Sequence, residues 1–170
     1  MNGNIVLIGM PASGKSTVGV VLAKVLGCDF IDTDLLIQNR EGRRLEELIR
    51  DNGIDAFLDI EGDVCGRLLT ENTVIATGGS VIYRDAAIRH LREIGTAVYL
   101  SVDFDTLKDR LYNVMERGVV LREGQTLEDL FRERTKLYER YADIIVKEGN
   151  QTLEETVFAV KAALEARGLI

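Results

Sequence analysis

Gly9-Met10-Pro11-Ala12-Ser13-Gly14-Lys15-Ser16, directly behind the apolar run Ile5-Val6-Leu7-Ile8, is the stretch that decides the fold. A strand running into a glycine-rich turn, and on into a helix-forming segment, is the setting of a phosphate-binding P-loop. Each residue type has a physical reason. The glycines let the backbone wrap close to a polyphosphate, so that several N–H groups point inward at it. A helix starting near Lys15 adds its positive N-terminal end. Lys15 supplies a mobile point charge for the terminal phosphates, and Ser16 a hydroxyl for Mg²⁺. A surface turn that merely contains Lys-Ser needs neither flanking strand nor helix. The pattern therefore implies a nucleoside triphosphate site.

Outward from this loop the chain alternates strand and helix. The spacing of Val18, Val21, Leu22 and Val25 predicts a helix over 16–26, and 28–31 reads as a strand ending at Asp32-Thr33-Asp34. Helices are expected over 35–39, Leu45–Asn52 and 55–70, then a third strand over 74–76 running into Thr77-Gly78-Gly79-Ser80. Asp85–Ile94, 104–115, Leu127–Tyr141 and 152–167 read as helices, with strands at 97–100 and 143–146 between them. Apolar strands alternating with helices imply a parallel sheet covered on both faces, a three-layer α/β/α architecture. No repeat, low-complexity tract or linker interrupts it, so residues 1–170 read as a single domain.

Composition narrows the partners. A chain of 170 residues buries a core without staples, and no apolar run approaches bilayer-spanning length. No signal-like segment opens the chain, and Cys28 and Cys65 lack metal-ligand spacing, which implies reduced thiols and a cytoplasmic protein. A net charge of −7 argues against a nucleic-acid surface. The positive charge is nonetheless clustered: Arg110, Arg117, Arg122, Arg132, Arg134, Lys136 and Arg140 share one third of the chain. A basic zone in an acidic protein suggests a site for a small anion.

In such sheets ligands bind beyond the C-terminal ends of the strands. The first three strands end in the P-loop, in Asp32-Thr33-Asp34 and in Thr77-Gly78-Gly79, so these converge on one crevice. Asp32 and Asp34 suit water-mediated Mg²⁺ binding and the orientation of an acceptor hydroxyl. Helix capping is the competing reading for both, and a shared crevice with the P-loop favours the first. Gly78 and Gly79, which follow a strand and open a helix, suit either a substrate cradle or a tight turn, and both roles are compatible. Arg117, in the glycine- and charge-rich stretch 113–125, reads as a lid arginine that neutralises charge during transfer, or as a solvated surface residue. His90 has no partner pattern, and Phe131, Tyr138 and Tyr141 occur at helical core spacing.

Taken in order, the P-loop with Pro11 inside it, Asp32-Thr33-Asp34, Phe57-x-x-x-Glu61, Thr77-Gly78-Gly79, Arg117 and Arg134-x-x-x-Tyr138 resemble the shikimate kinase family, over essentially the whole chain. The resemblance implies a P-loop kinase fold with a five-stranded parallel sheet in the order 2-3-1-4-5, a mobile lid at about 113–125 and an acceptor-binding helical region at about 33–61. It implies ATP and Mg²⁺ as cofactors, and transfer of the γ-phosphoryl of ATP to the 3-hydroxyl of shikimate in aromatic amino acid biosynthesis. Gly9, Pro11, Ala12, Ser13, Gly14, Lys15, Ser16, Thr17, Arg110 and Arg117 would hold the nucleotide, with Arg110 against the adenine. Lys15, Asp34 and Arg117 would be catalytic, Ser16 and Asp32 would hold the metal, and Asp34, Gly78, Gly79 and Arg134 would bind the acceptor. A monomer is expected.

Three departures from the family pattern stand out. Leu58 occupies the place of an arginine that shares the acceptor's carboxylate, Ser80 replaces a third glycine, and Arg117-Gly118-Val119-Val120 replaces Arg-Pro-Leu-Leu. Losing one arm of such a clamp costs about 1.5–3 kcal/mol. Arg43, Arg44 and Arg84 are candidates to compensate. The alternatives are a same-fold kinase for another hydroxylated metabolite (a polyol, sugar acid or hydroxy amino acid), or a nucleotide-binding regulator without turnover.

Overall fold

The computed structural model describes residues 3–112, 124–149 and 151–170. β1 (Asn4–Ile8) is buried along its whole length because it lies at the sheet centre with a strand on each side. α1 (Lys15–Leu26) follows it, then β2 (Asp29–Asp32), α2 (Thr33–Glu41), α3 (Leu45–Asn52), α4 (Ile54–Gly66) and β3 (Thr73–Ala76). A single 3₁₀ turn, Val81–Tyr83, precedes α5 (Asp85–Ile94), β4 (Gly95–Val102), α6 (Phe104–Tyr112), α7 (Leu127–Tyr141), β5 (Ile144–Glu148) and α8 (Leu153–Glu165). All strand pairs are parallel, in the order β2-β3-β1-β4-β5. This is the expected order.

Successive side chains on a strand point to opposite faces, and β1 divides accordingly. Val6 and Ile8 join Ile75, Ala97 and Tyr99 in a core closed by α4 to α7 through Cys65, Ile88, Leu91, Leu107, Leu130 and Tyr138. Ile5 and Leu7 join Val74, Val98, Leu100 and Val146 in a second core closed by Val18 and Leu22 of α1 and Val157, Val160 and Leu164 of α8. The sheet is thus sandwiched between helical layers, as anticipated. A smaller cluster of Ile37, Leu48 and Phe57 binds α2, α3 and α4 together away from the sheet.

The helices over Leu45–Asn52, Asp85–Ile94 and Leu127–Tyr141 fall where periodicity placed them. Other boundaries move for local reasons. β2 begins at Asp29 because the Cys28 N–H closes the end of α1 on the Ala23 carbonyl at 3.0 Å. α2 begins at Thr33 because Asp32 caps it, and α4 stops at Gly66, short of the expected residue 70. β4 runs longer than its apolar segment because it pairs with β1 over Gly95–Tyr99 and with β5 over Val98–Val102. Gly78 and Gly79 do not open a helix; the 3₁₀ turn intervenes before α5. The tail of the helix expected over 104–115 lies outside the described residues.

Candidate active site

The ends of β1, β2 and β3 bring the three motifs to one cavity of about 760 Å³. Pro11, Ala12, Gly14, Lys15, Ser16 and Thr17 line one end of it. Gly9 and Ser13 are buried and do not line it. A side chain at Gly9 would have its Cβ 2.8 Å from the Leu100 carbonyl, and its φ of 151° disfavours any other residue. Ala12 is left-handed at φ 62°, an uncommon state for a residue with a Cβ, so the loop is held under local strain. Gly14, the N-cap of α1, offers no side-chain acceptor to the first-turn amides. Those N–H groups are left to a ligand or water, the requirement for an anion site.

Lys15 is 7% exposed and folds back onto its own loop. Its Nζ donates to the carbonyls of Gly9 at 2.9 Å and Met10 at 2.8 Å, and to Ser13 Oγ at 3.4 Å. Burial pushes its pKa down to about 8, opposed chiefly by the charge of Asp34. The side chain is therefore a partly desolvated cation, and a phosphate would restore its charge balance.

Asp34, in the first turn of α2, faces the cavity, and burial with the neighbouring charge of Asp32 lifts its pKa to about 6. Asp32 performs the capping that sequence left as its competing role: its Oδ1 accepts from the Asp34 N–H at 2.9 Å and the Leu35 N–H at 3.4 Å. The capping atom is Oδ1 alone. Among the described residues no three His, Cys, Asp or Glu side chains form a metal-holding group. A closed protein cage is thus absent from them, while Ser16 and one or two carboxylates with phosphate oxygens and water are the donor set that suits Mg²⁺.

Another wall of the cavity is built by α4, α7 and the Thr77–Ser80 turn, which meets the P-loop at Pro11. Thr77 Oγ1 donates to the Leu7 carbonyl at 2.9 Å, and the Gly78 N–H donates to Thr33 Oγ1 at 3.1 Å. Tyr138, stacked on Tyr99, donates through its hydroxyl to the Gly79 carbonyl at 2.6 Å. Glu61 is 1% exposed; its Oε2 accepts from Ser80 Oγ at 2.6 Å, and its Oε1 has no hydrogen-bond partner among the described residues. Burial raises its pKa to about 7 against the opposing Ser80 hydrogen bond. Ser80 is the N-cap residue of the following turn, but its side chain holds Glu61 and makes no capping hydrogen bond.

Arg134, on α7, is 4% exposed and forms no ion pair with a described residue. Its Nε donates to the Tyr83 hydroxyl at 3.3 Å, with the guanidinium 5.2 Å from that ring's centroid. Tyr83 therefore orients Arg134, a partnership that no spacing in the sequence signals. Arg110 also borders the cavity, held by Glu148 at 2.9 Å and by the Ala12 carbonyl at 3.4 Å. Glu148 lies at the end of β5, far from Arg110 in sequence, so only the fold reveals the pair. Arg117 and positions 113–123 of the expected lid lie outside the described residues. His90 bonds the Leu68 carbonyl at 2.8 Å, away from the cavity, as a packing residue.

Gly78 and Gly79 are required by space. A Cβ at Gly78 would collide with Glu61 Oε1 and stand 2.8 Å from Asp34 Oδ1; one at Gly79 would stand 2.9 Å from Pro11 Cδ and 3.1 Å from Arg134 Nη1. Gly78→Ala should therefore lose about 1–3 kcal/mol of stability and displace both carboxylates. A thermal melt and acceptor kinetics read this out, and an unchanged Tm with unchanged acceptor KM would contradict the crowding.

Comparison with known proteins agrees with this architecture. The sequence model of the shikimate kinase family matches residues 11–165. A shikimate kinase of Clostridium botulinum (strain 657 / Type Ba4) is 36% identical over 170 residues, covering 98% of this chain and 99% of the relative. The solved shikimate kinase from Acinetobacter baumannii in complex with shikimate superposes with TM-score 0.91 at 27% identity, covering 100% of this chain and 97% of the other. The crystal structure of the Aquifex aeolicus vf5 enzyme gives TM-score 0.75 at 32% identity and 98% coverage of both chains. With the P-loop, Asp34 and the buried Arg134 lining one cavity, and with near-complete coverage of both chains in sequence and structure, this chain belongs to the shikimate kinase family.

Proposed function

We propose that this chain transfers the γ-phosphoryl group of ATP to the 3-hydroxyl of shikimate. The observation that carries the acceptor reading is Arg134. A guanidinium almost wholly buried with no ion-pair partner among the described residues costs free energy unless an anion joins it. It lies at the end of the cavity that also holds Asp34 and Gly79, where an acceptor must sit to meet a phosphate on the P-loop. A carboxylate and a hydroxyl on one small molecule meet both requirements.

In this reading the P-loop amides, with Gly9, Pro11, Ala12, Ser13, Gly14, Ser16 and Thr17, hold the triphosphate, and Arg110 contacts the nucleotide. Ser16, and Asp32 through water, would hold Mg²⁺, which would supply positive charge against the phosphates. Asp34 orients the acceptor hydroxyl and takes its proton as the new P–O bond forms and the bond to the β-phosphate oxygen breaks. Lys15 and Arg117 stabilise the charge of the transferring group. Gly78 and Gly79 shape the acceptor site. The chain acts as one kinase domain over 1–170, with a lid at 113–125 and an acceptor region at 33–61. It works as a cytoplasmic monomer on a small-molecule acceptor.

Leu58 is the observation that favours another hydroxylated acceptor, since it is buried beside a side cavity of 20 Å³ and offers no charge. An ADP-release assay decides. Saturable turnover with shikimate at sub-millimolar KM is expected, and its methyl ester should lose at least about tenfold in kcat/KM because Arg134 is left unpaired. Equal use of acid and ester, or turnover only with an uncharged polyol, would overturn the anionic-acceptor reading.

A further inference from the structure

We propose that Arg44 binds the acceptor's carboxylate, as the second arm of a clamp whose first arm is Arg134. The proposal rests on the reading of the acceptor as an anionic hydroxy acid. A carboxylate has two oxygens and is held best by donors on both. Arg134 reaches it from α7, and Leu58 on α4 adds nothing polar.

Arg43, Arg44 and Arg84 are the candidates to compensate, and the structure separates them. Arg43 is ion-paired with Asp51 and also reaches the Glu47 carbonyl. Arg84 pairs with Asp59 at 2.8 Å, and its aliphatic stem packs over Gly62. Neither borders the large cavity. Arg44 does, on the wall formed by the start of α3, and it makes no ion pair with a described residue.

Its place in α3 is unfavourable for the helix itself. Arg44 is the N-cap residue, where Ser, Thr, Asn or Asp would accept a backbone hydrogen bond; a guanidinium has no acceptor to offer. It also sets a cation at the positive end of the helix dipole. The adjacent carboxylates do not hold it. Glu47 Oε2 accepts the backbone N–H of Arg44 at 3.1 Å, and Glu46 faces the cavity alongside. An exposed guanidinium that has no ion-pair partner among the described residues, weakens its own helix and lines the same cavity as the buried Arg134 is placed for a ligand and not for stability.

Arg44→Ser tests this, because serine restores the cap while removing the charge. The expected result is a split. Tm rises by about 2–4 °C, KM for shikimate rises at least about tenfold, and KM for ATP stays within about twofold. Arg43→Ala serves as the control and should leave shikimate KM within about twofold. Adding Leu58→Arg to Arg44→Ser should recover the lost affinity by placing a guanidinium beside Arg134. A raised Tm with unmoved shikimate KM would overturn the role of Arg44 alone. Absence of shikimate turnover by the unaltered protein would overturn the acceptor reading, and this proposal with it.

Discussion

Lys15→Ala lowers kcat by at least about a thousandfold, the largest effect expected of any single change in this protein. The reason is visible in how Lys15 is held. Its ammonium is almost fully buried and bonded to two loop carbonyls, so it is already desolvated before any ligand arrives. Electrostatic stabilisation of a developing charge is strongest from a group that need not shed water during the reaction. Alanine removes that charge and leaves the carbonyls of Gly9 and Met10 without their donor. The loop should still form, because Gly9 and Gly14 set its backbone. Steady-state ADP release, with a thermal melt as control for folding, is the measurement. Activity within a few-fold of the unaltered chain would remove Lys15 from the chemistry. A second readout follows from its lowered pKa: ATP binding near pH 8 should take up protons, because phosphate charge draws the ammonium form back.

Asp34→Asn should reduce kcat by about a hundredfold to ten-thousandfold, the range for a lost general base, with ATP affinity little changed. The carboxylate is raised to about 6 by burial and by Asp32. Only its ionised form accepts a proton, so kcat/KM of the unaltered enzyme should fall as pH drops through about 6 and be fully developed above it. Glu61, raised to about 7, titrates nearby and would modulate acceptor binding over the same range. The variant separates the two. An acidic limb near 6 that persists in Asp34→Asn belongs to another group, and a defect confined to ATP affinity would refute the acceptor-side role of Asp34.

Much of this architecture is legible in the sequence alone, because local patterns carry it. The helices over Leu45–Asn52, Asp85–Ile94 and Leu127–Tyr141 follow directly from apolar periodicity, and their ends coincide with the expected ones. Where boundaries were missed, a long-range partner set them: β4 gains residues from two neighbouring strands, and β2 loses Cys28 to the end of α1. Gly78-Gly79 do not open a helix because that turn serves Thr33, Tyr138 and β1 before the chain can wind again.

The sequence by itself determined that a strand, a P-loop and a helix begin the chain, that the sheet is parallel, and that Asp34, Gly78 and Gly79 lie at strand ends facing one crevice. Those features depend on residues close together in the chain, where backbone geometry and side-chain period leave few alternatives. Only the tertiary structure decided the partners. It gave Asp32 to the cap of α2, Ser80 to Glu61, Tyr83 to Arg134 and Glu148 to Arg110. It also distinguished Arg44 from Arg43 and Arg84, which composition cannot do. Which charge is buried and which carboxylate it meets depends on segments distant in sequence, and burial then sets how strongly each charge acts.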